Sequence, residues 1–296
     1  MFKQIKKYFF AILLKITILF SLFSCKTTST LERQTIPQED KYVITRELDL
    51  SPNQEESKYI FIRLYNPEYK NPFYVANILK GGLNATQVDE TPELSHASIN
   101  FSLDDNFYGL TSGGKYQLAQ EACLYPQDNK YMKNCDPARS EQITYAIKVS
   151  PEEYENAKKF VENYADSTDI KYKSYLNFKI AMFCIKRKFF TAKEKKAFGS
   201  VVYPKRAQNK KIQGDEWRNE NDFVCSTFVA YVLYNNVNKI TDFFDENNIK
   251  YDYINVSDLV MIPGIIPLFY STWENYLIAA NAFIEEYPEF QIYLTE

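Results

Sequence analysis

Asp222-Phe223-Val224-Cys225-Ser226-Thr227-Phe228-Val229-Ala230-Tyr231-Val232-Leu233 is the stretch on which the reading of this chain turns. Phe228, Val229, Val232 and Leu233 recur at i, i+1, i+4 and i+5, one apolar helical face. Cys225 stands one turn before that face, so the pattern predicts a buried helix with a cysteine in its first turn. A thiol there meets the positive end of the helix dipole and unpaired backbone N–H groups, which favour the thiolate. A thiolate is a nucleophile. The competing reading is a buried cysteine that acts only as a small hydrophobe.

A second segment bears on that choice. The chain contains one histidine, His96. It opens His96-Ala97-Ser98-Ile99-Asn100-Phe101-Ser102-Leu103, where Ala97, Ile99, Phe101 and Leu103 alternate with polar residues at the period of a strand. A cysteine and a histidine far apart in sequence but adjacent in the fold are the usual arrangement for an activated thiol. A hydrogen-bonded structural histidine is the alternative.

Taken together, His96-Ala97-Ser98-Ile99 and Cys225-Ser226-Thr227-Phe228-Val229 resemble the permuted branch of the NlpC/P60 papain-like hydrolases, its lipoprotein and YiiX-like members in particular. In that branch a His-x-[GS]-Ile strand precedes a Cys-Ser-x-Phe-Val helix by more than a hundred residues. The resemblance covers roughly residues 57–240. It implies an α+β, circularly permuted papain-like fold, with an antiparallel sheet packed on the helix that carries the cysteine and extra helices at the C-terminus. It also implies a catalytic pair of Cys225 and His96, with a third polar group orienting the imidazole. The family's next strand matches Phe107-Tyr108-Gly109-Leu110, and a glutamate beyond it matches Glu121. Tyr108, Thr111, Ser112 and Glu121 are the candidates for the third group, and none fits the family pattern cleanly. No cofactor is implied, and the lone histidine leaves too few ligands for a zinc site.

The N-terminus carries a targeting signal. Lys3, Lys6 and Lys7 precede an apolar stretch from Tyr8 to Phe23 that Lys15 interrupts, too short a run to span a bilayer. Leu22-Phe23-Ser24-Cys25 resembles a bacterial lipobox, which implies acylation of Cys25. The expected organisation is a signal peptide over 1–24, a lipidated cysteine and polar tether over 25–56, and the hydrolase-like domain over 57–296. Such a chain would sit on the bacterial cell envelope, lipid-anchored, on the periplasmic or outer surface.

Lys58–Tyr65 and Gln142–Val149 read as strands, and Asp104-Asp105-Asn106 reads as a turn that makes a hairpin of 98–103 and 107–111. Pro151-Glu152-Glu153 after Ser150 starts a helix that runs to about Tyr164. Residues 172–184 read as a strand turning into a helix near the cysteine helix, with Cys184 as core filler. Residues 236–248 and 273–287 read as further helices, whereas Pro263 and Pro267 rule out one continuous helix over 259–270. Cys123 and Cys135 bracket a loop-like stretch, and an oxidising compartment permits a disulfide between them. The basic run from Lys186 to Lys196, Arg187 included, reads as an exposed loop flanking the active site.

A net charge of −3 and an exported location argue against nucleic acid as a partner. The expected partners are membrane lipid, through Cys25, and a substrate that is either a peptidoglycan stem peptide or an acyl amide or ester. A non-catalytic surface lipoprotein that keeps the fold to bind a ligand is the alternative of another class.

Overall fold

The computed structural model describes residues 57–71, 94–104, 106–110, 118–122, 134–165, 170–190, 203, 209, 211 and 222–294. The expected signal segment, Cys25 and the tether lie outside them. The order of elements is β1 (Lys58–Asn66), β2 (His96–Asn100), β3 (Asn106–Leu110), β4 (Leu118–Ala122), β5 (Glu141–Val149), α1 (Pro151–Ala165), β6 (Lys171–Tyr172), α2 (Ser174–Phe190), β7 (Asp222–Phe223), α3 (Cys225–Asn236), α4 (Asn238–Glu246), β8 (Ile265–Thr272) and α5 (Tyr276–Glu286). Short 3-10 turns cover Tyr251–Tyr253, Val256–Met261 and Pro288–Tyr293. The protein is α+β, as the sequence implies.

Six strands form one sheet in the order β4-β3-β2-β1-β5-β8, every pairing antiparallel. Both faces of its centre are buried. Cross-strand partners share a face. Ile60, Ile62 and Leu64 of β1 thus lie with Ala97 and Ile99 of β2 and with Ile143, Tyr145 and Ile147 of β5. The other face carries Phe61, Arg63 and Tyr65, next to His96, Ser98 and Asn100.

The C-terminal segment covers that second face. Phe290 and Tyr293 pack on Phe61, and Trp273 packs edge-on against Tyr65 at 5.2 Å. Tyr276 packs on Phe107 and on Phe269. The fully buried Arg63 is caged by rings, its guanidinium 4.4 Å from Phe107 and 5.6 Å from Tyr276. The expected extra C-terminal helix is therefore part of the core. Tyr293 adds a backbone tie, its hydroxyl accepting from the Tyr59 N–H at 2.9 Å.

β8 was not legible as a strand. Pro263 just before it and Pro267 within it hide the pattern, yet Pro267 sits on the strand at the sheet edge, where the register with β5 shifts at Thr144/Tyr145. An edge and a bulge are the two places a sheet tolerates proline.

Residues 172–184 behave as expected, a short strand followed by a helix, but the helix extends to Phe190 and corrects the loop expected from Lys186 onward. Arg187 is buried and pairs with buried Asp258, Nη2 to Oδ1 at 2.5 Å. Residue 187 falls on the same face of α2 as Leu176, Ile180, Phe183 and Cys184, which packs inward.

Candidate active site

α3 begins at Cys225, as the apolar spacing requires, and ten of its residues are buried. Val224, the residue before it, has an extended backbone and no side-chain acceptor, so it cannot cap the helix. Thr227 compensates in part: its Oγ1 accepts from the Val224 N–H at 3.0 Å and donates to the Val224 carbonyl at 3.1 Å. Ser226 Oγ donates to the Ile254 carbonyl at 2.7 Å and ties the helix start to the 3-10 segment. The cysteine thus stands at a fixed, apolar-flanked helix N-terminus, among the first-turn N–H groups that have no partner within the helix.

α3 packs on β2 and β3 and lies beside α1. Tyr164 of α1 meets Phe228 and Tyr231 edge-on, and its hydroxyl donates to the Tyr231 hydroxyl at 3.1 Å. Just past its last turn, the Asn238 N–H donates to Glu153 and Lys239 Nζ donates to the Lys148 carbonyl at 2.6 Å. Those contacts put the helix C-terminus at the sheet end where β5 stops and β1 starts. The first turn of α3, with Cys225, accordingly points toward the opposite end, where His96 opens β2 across from Tyr65.

His96 is 4% exposed and its ring packs on Tyr65, centroids 4.7 Å apart. Cys225 is 6% exposed. Among the described residues it acts on the charge of Tyr172, which sequence reasoning did not single out. β6 runs parallel to β7, pairing Tyr172 with Phe223 and Lys171 with Asp222, directly before the cysteine. The Lys173 N–H donates to the Phe223 carbonyl, and Lys173 pairs with Asp222 at 3.4 Å. The Tyr172 oxygen accepts from Asn177 Nδ2 at 2.7 Å. Burial raises the Tyr172 pKa first and the neighbouring Cys225 raises it further, while the Asn177 hydrogen bond works the other way. The phenol therefore keeps its proton at neutral pH. His96 and Cys225 thus have different surroundings: Tyr65, on the sheet face that the C-terminal segment covers, for one, and the β6–β7 pair for the other.

Comparison with family models, with curated proteins and with solved structures finds no match.

The third group is where expectation and structure part. Tyr108 pairs with Ile99, and Gly109 pairs with Ser98. Tyr108 is therefore on the face of Ile99, opposite the face that His96 shares with Ser98, and it cannot orient the imidazole. Glu121 pairs with Phe107 on β4. It is two strands from β2 and level with the far end of that strand, so strand spacings put its backbone roughly 16 Å from that of His96. That correction removes Glu121 as well. Thr111, Ser112 and Cys123 lie outside the described residues. Cys135 is buried, in an isolated antiparallel bridge with Tyr69.

Among the described residues, no helix is long and apolar enough to cross a membrane, and no group of three His, Cys, Asp or Glu side chains could hold a metal ion.

Proposed function

We propose that the protein is a cysteine hydrolase of the bacterial cell envelope with a permuted papain-like fold, in which Cys225 attacks the carbonyl carbon of an amide or ester. The observation that carries this reading is the position of Cys225. It is the first residue of a buried helix laid on the strand that the only histidine opens, directly after the strand β7 that pairs with Tyr172.

In this mechanism the thiolate forms a thioester with the acyl group. His96 takes the thiol proton and delivers it to the departing amine or alcohol, and water then hydrolyses the thioester. The Cys225 backbone N–H steadies the oxyanion at the helix N-terminus. Tyr172 supplies a second hydrogen bond, to the sulfur or to the oxyanion, and Asn177 holds it there. A peptidoglycan stem peptide or a fatty-acyl amide or ester serves as substrate, and acylated Cys25 holds the domain at the membrane.

A second reading has its own support. The ring of His96 packs on Tyr65 in a face filled by aromatic side chains, a setting that suits a structural imidazole in a non-catalytic binding lipoprotein.

One experiment separates the two. The purified protein and Cys225→Ala are incubated with muropeptides and with acyl amides, and a thiol-reactive probe is added at near-neutral pH to the same samples. The hydrolase reading expects product from one substrate class, none from Cys225→Ala, and labelling of Cys225 well ahead of Cys184. Slow, equal labelling of both thiols with no product would leave the binding reading standing alone.

A further inference from the structure

The described residues hold five large apolar side chains in the open, and three of them belong to one helix. Tyr175, Phe178 and Met182 of α2 are 60%, 55% and 40% exposed. They recur at i, i+3 and i+7, and the next residue on that line, Lys186, is also exposed. At 3.6 residues per turn the four fall within about 80° of arc. They form one stripe, not a scatter. The opposite face of α2 is occupied by Leu176, Ile180, Phe183, Cys184 and Arg187, all buried against the domain. A helix already docked by one apolar face has no need of a second in water, and a contiguous exposed apolar stripe marks a contact surface.

We propose that this stripe is the seat on which the domain rests against an anionic lipid bilayer. The composition selects that occupant. A tyrosine, a phenylalanine and a methionine give a flexible, wedge-like apolar edge with one phenol that can stay among headgroups. Lys186 at the end of the line can bury its stem and keep its ammonium at the phosphate level. In the sequence the positive charge goes on through Lys188, Lys193, Lys195 and Lys196, the sense that attracts anionic headgroups although the chain as a whole is negative. A protein partner selected by charge would have to be acidic on an apolar surface, whereas an anionic bilayer offers both properties together. α2 starts two residues after Tyr172, so the seat brings the surroundings of Cys225 to the membrane face. Nothing in the seat needs the thiol, and the inference stands apart from the hydrolase reading.

The test uses the full chain, so that the N-terminal segment is common to every sample. Phe178→Trp and, as a second reporter, Met182→Trp are compared with Ile278→Trp, a position on α5 that is 58% exposed. Wild-type emission is subtracted to remove Trp217 and Trp273. Each variant is mixed with vesicles containing chain-brominated lipid, either phosphatidylcholine alone or with phosphatidylglycerol added. The expected result is a blue shift and loss of emission for Phe178→Trp and Met182→Trp in the anionic vesicles, with Ile278→Trp unaffected and Cys225→Ala combined with Phe178→Trp behaving like Phe178→Trp. Quenching of Phe178→Trp no greater than that of Ile278→Trp would overturn the seat. So would emission that is already blue-shifted without vesicles and unchanged by them, which would mean that protein covers the stripe. Equal quenching in the two kinds of vesicle would overturn the choice of an anionic surface.

Discussion

Tyr172 is the residue whose importance depends most on folding. Nothing in Lys171-Tyr172-Lys173 distinguishes it from the other tyrosines of a tyrosine-rich chain. Its place beside Cys225 comes from a two-residue parallel pairing between segments far apart in sequence. Replacing it with phenylalanine removes the hydroxyl and leaves the ring to pack. If the hydroxyl steadies charge at the sulfur or the oxyanion, Tyr172→Phe lowers kcat by about 100- to 1000-fold with little change in KM, the range for loss of one such donor. Steady-state kinetics on whichever substrate Cys225 turns over will decide it, and unchanged kcat would make the phenol a packing residue. Cys225 itself was legible, because a helix N-terminus and its apolar face are written within a dozen consecutive residues. The failure of Tyr108 and Glu121 as partners of His96 was not, because the face and level of a residue are fixed by pairing register between strands.

At the scale of elements, two joints tie the helical segments to the rest of the molecule. One is the Arg187–Asp258 pair between α2 and the 3-10 turn before β8. Asp258 also accepts from the Asn255 N–H at 3.0 Å, so it fastens its own turn as well as α2. Asp258→Leu leaves a buried guanidinium without its carboxylate and should cost about 3–5 kcal/mol in chemical unfolding. Arg187→Met combined with Asp258→Leu should recover much of that loss, since two apolar side chains need no partner. No recovery would show that shape, not charge, sets the cost. The other joint is Gly264, at φ +81°, where an added Cβ would stand 3.2 Å from Lys239 Nζ. Gly264→Ala forces a left-handed backbone on an alanine and crowds the lysine that donates to the Lys148 carbonyl. A loss of about 1 kcal/mol or more is expected, read as a lower urea midpoint. β1, β2 and β5 were visible as alternating or β-rich runs. β4 was not, because Leu118-Ala119-Gln120-Glu121-Ala122 consists largely of residues with weak strand preference, and only its pairing with β3 makes it a strand.

Taken whole, the molecule is stitched by buried phenols, and this gives it a pH limit. Burial raises the pKa of Tyr293 and of Tyr234 to about 12 from the ordinary 10.0, and Asp245 adds to the effect at Tyr234. Tyr145, Tyr154 and Tyr203 are pushed further up, burial again coming first. A raised folded pKa means that the fold prefers the protonated phenol. The stability so contributed is intact below about pH 10 and falls as pH rises from there through 12. Urea unfolding across that window should give a midpoint that declines steeply with pH, and Tyr293→Phe should make the decline shallower. A flat profile would mean that these phenols ionise without disturbing the core. The sequence by itself determined the central strands, the helix that starts at Cys225 and the helix near the C-terminus, because each rests on local periodicity, while the α+β class followed from the resemblance. Only the tertiary structure decided that Arg187 is a buried ion-pair partner, that Tyr172 stands beside Cys225, and that Tyr108 and Glu121 cannot serve His96. Those outcomes depend on which strands pair, in what register and on which face, and no window of consecutive residues encodes them.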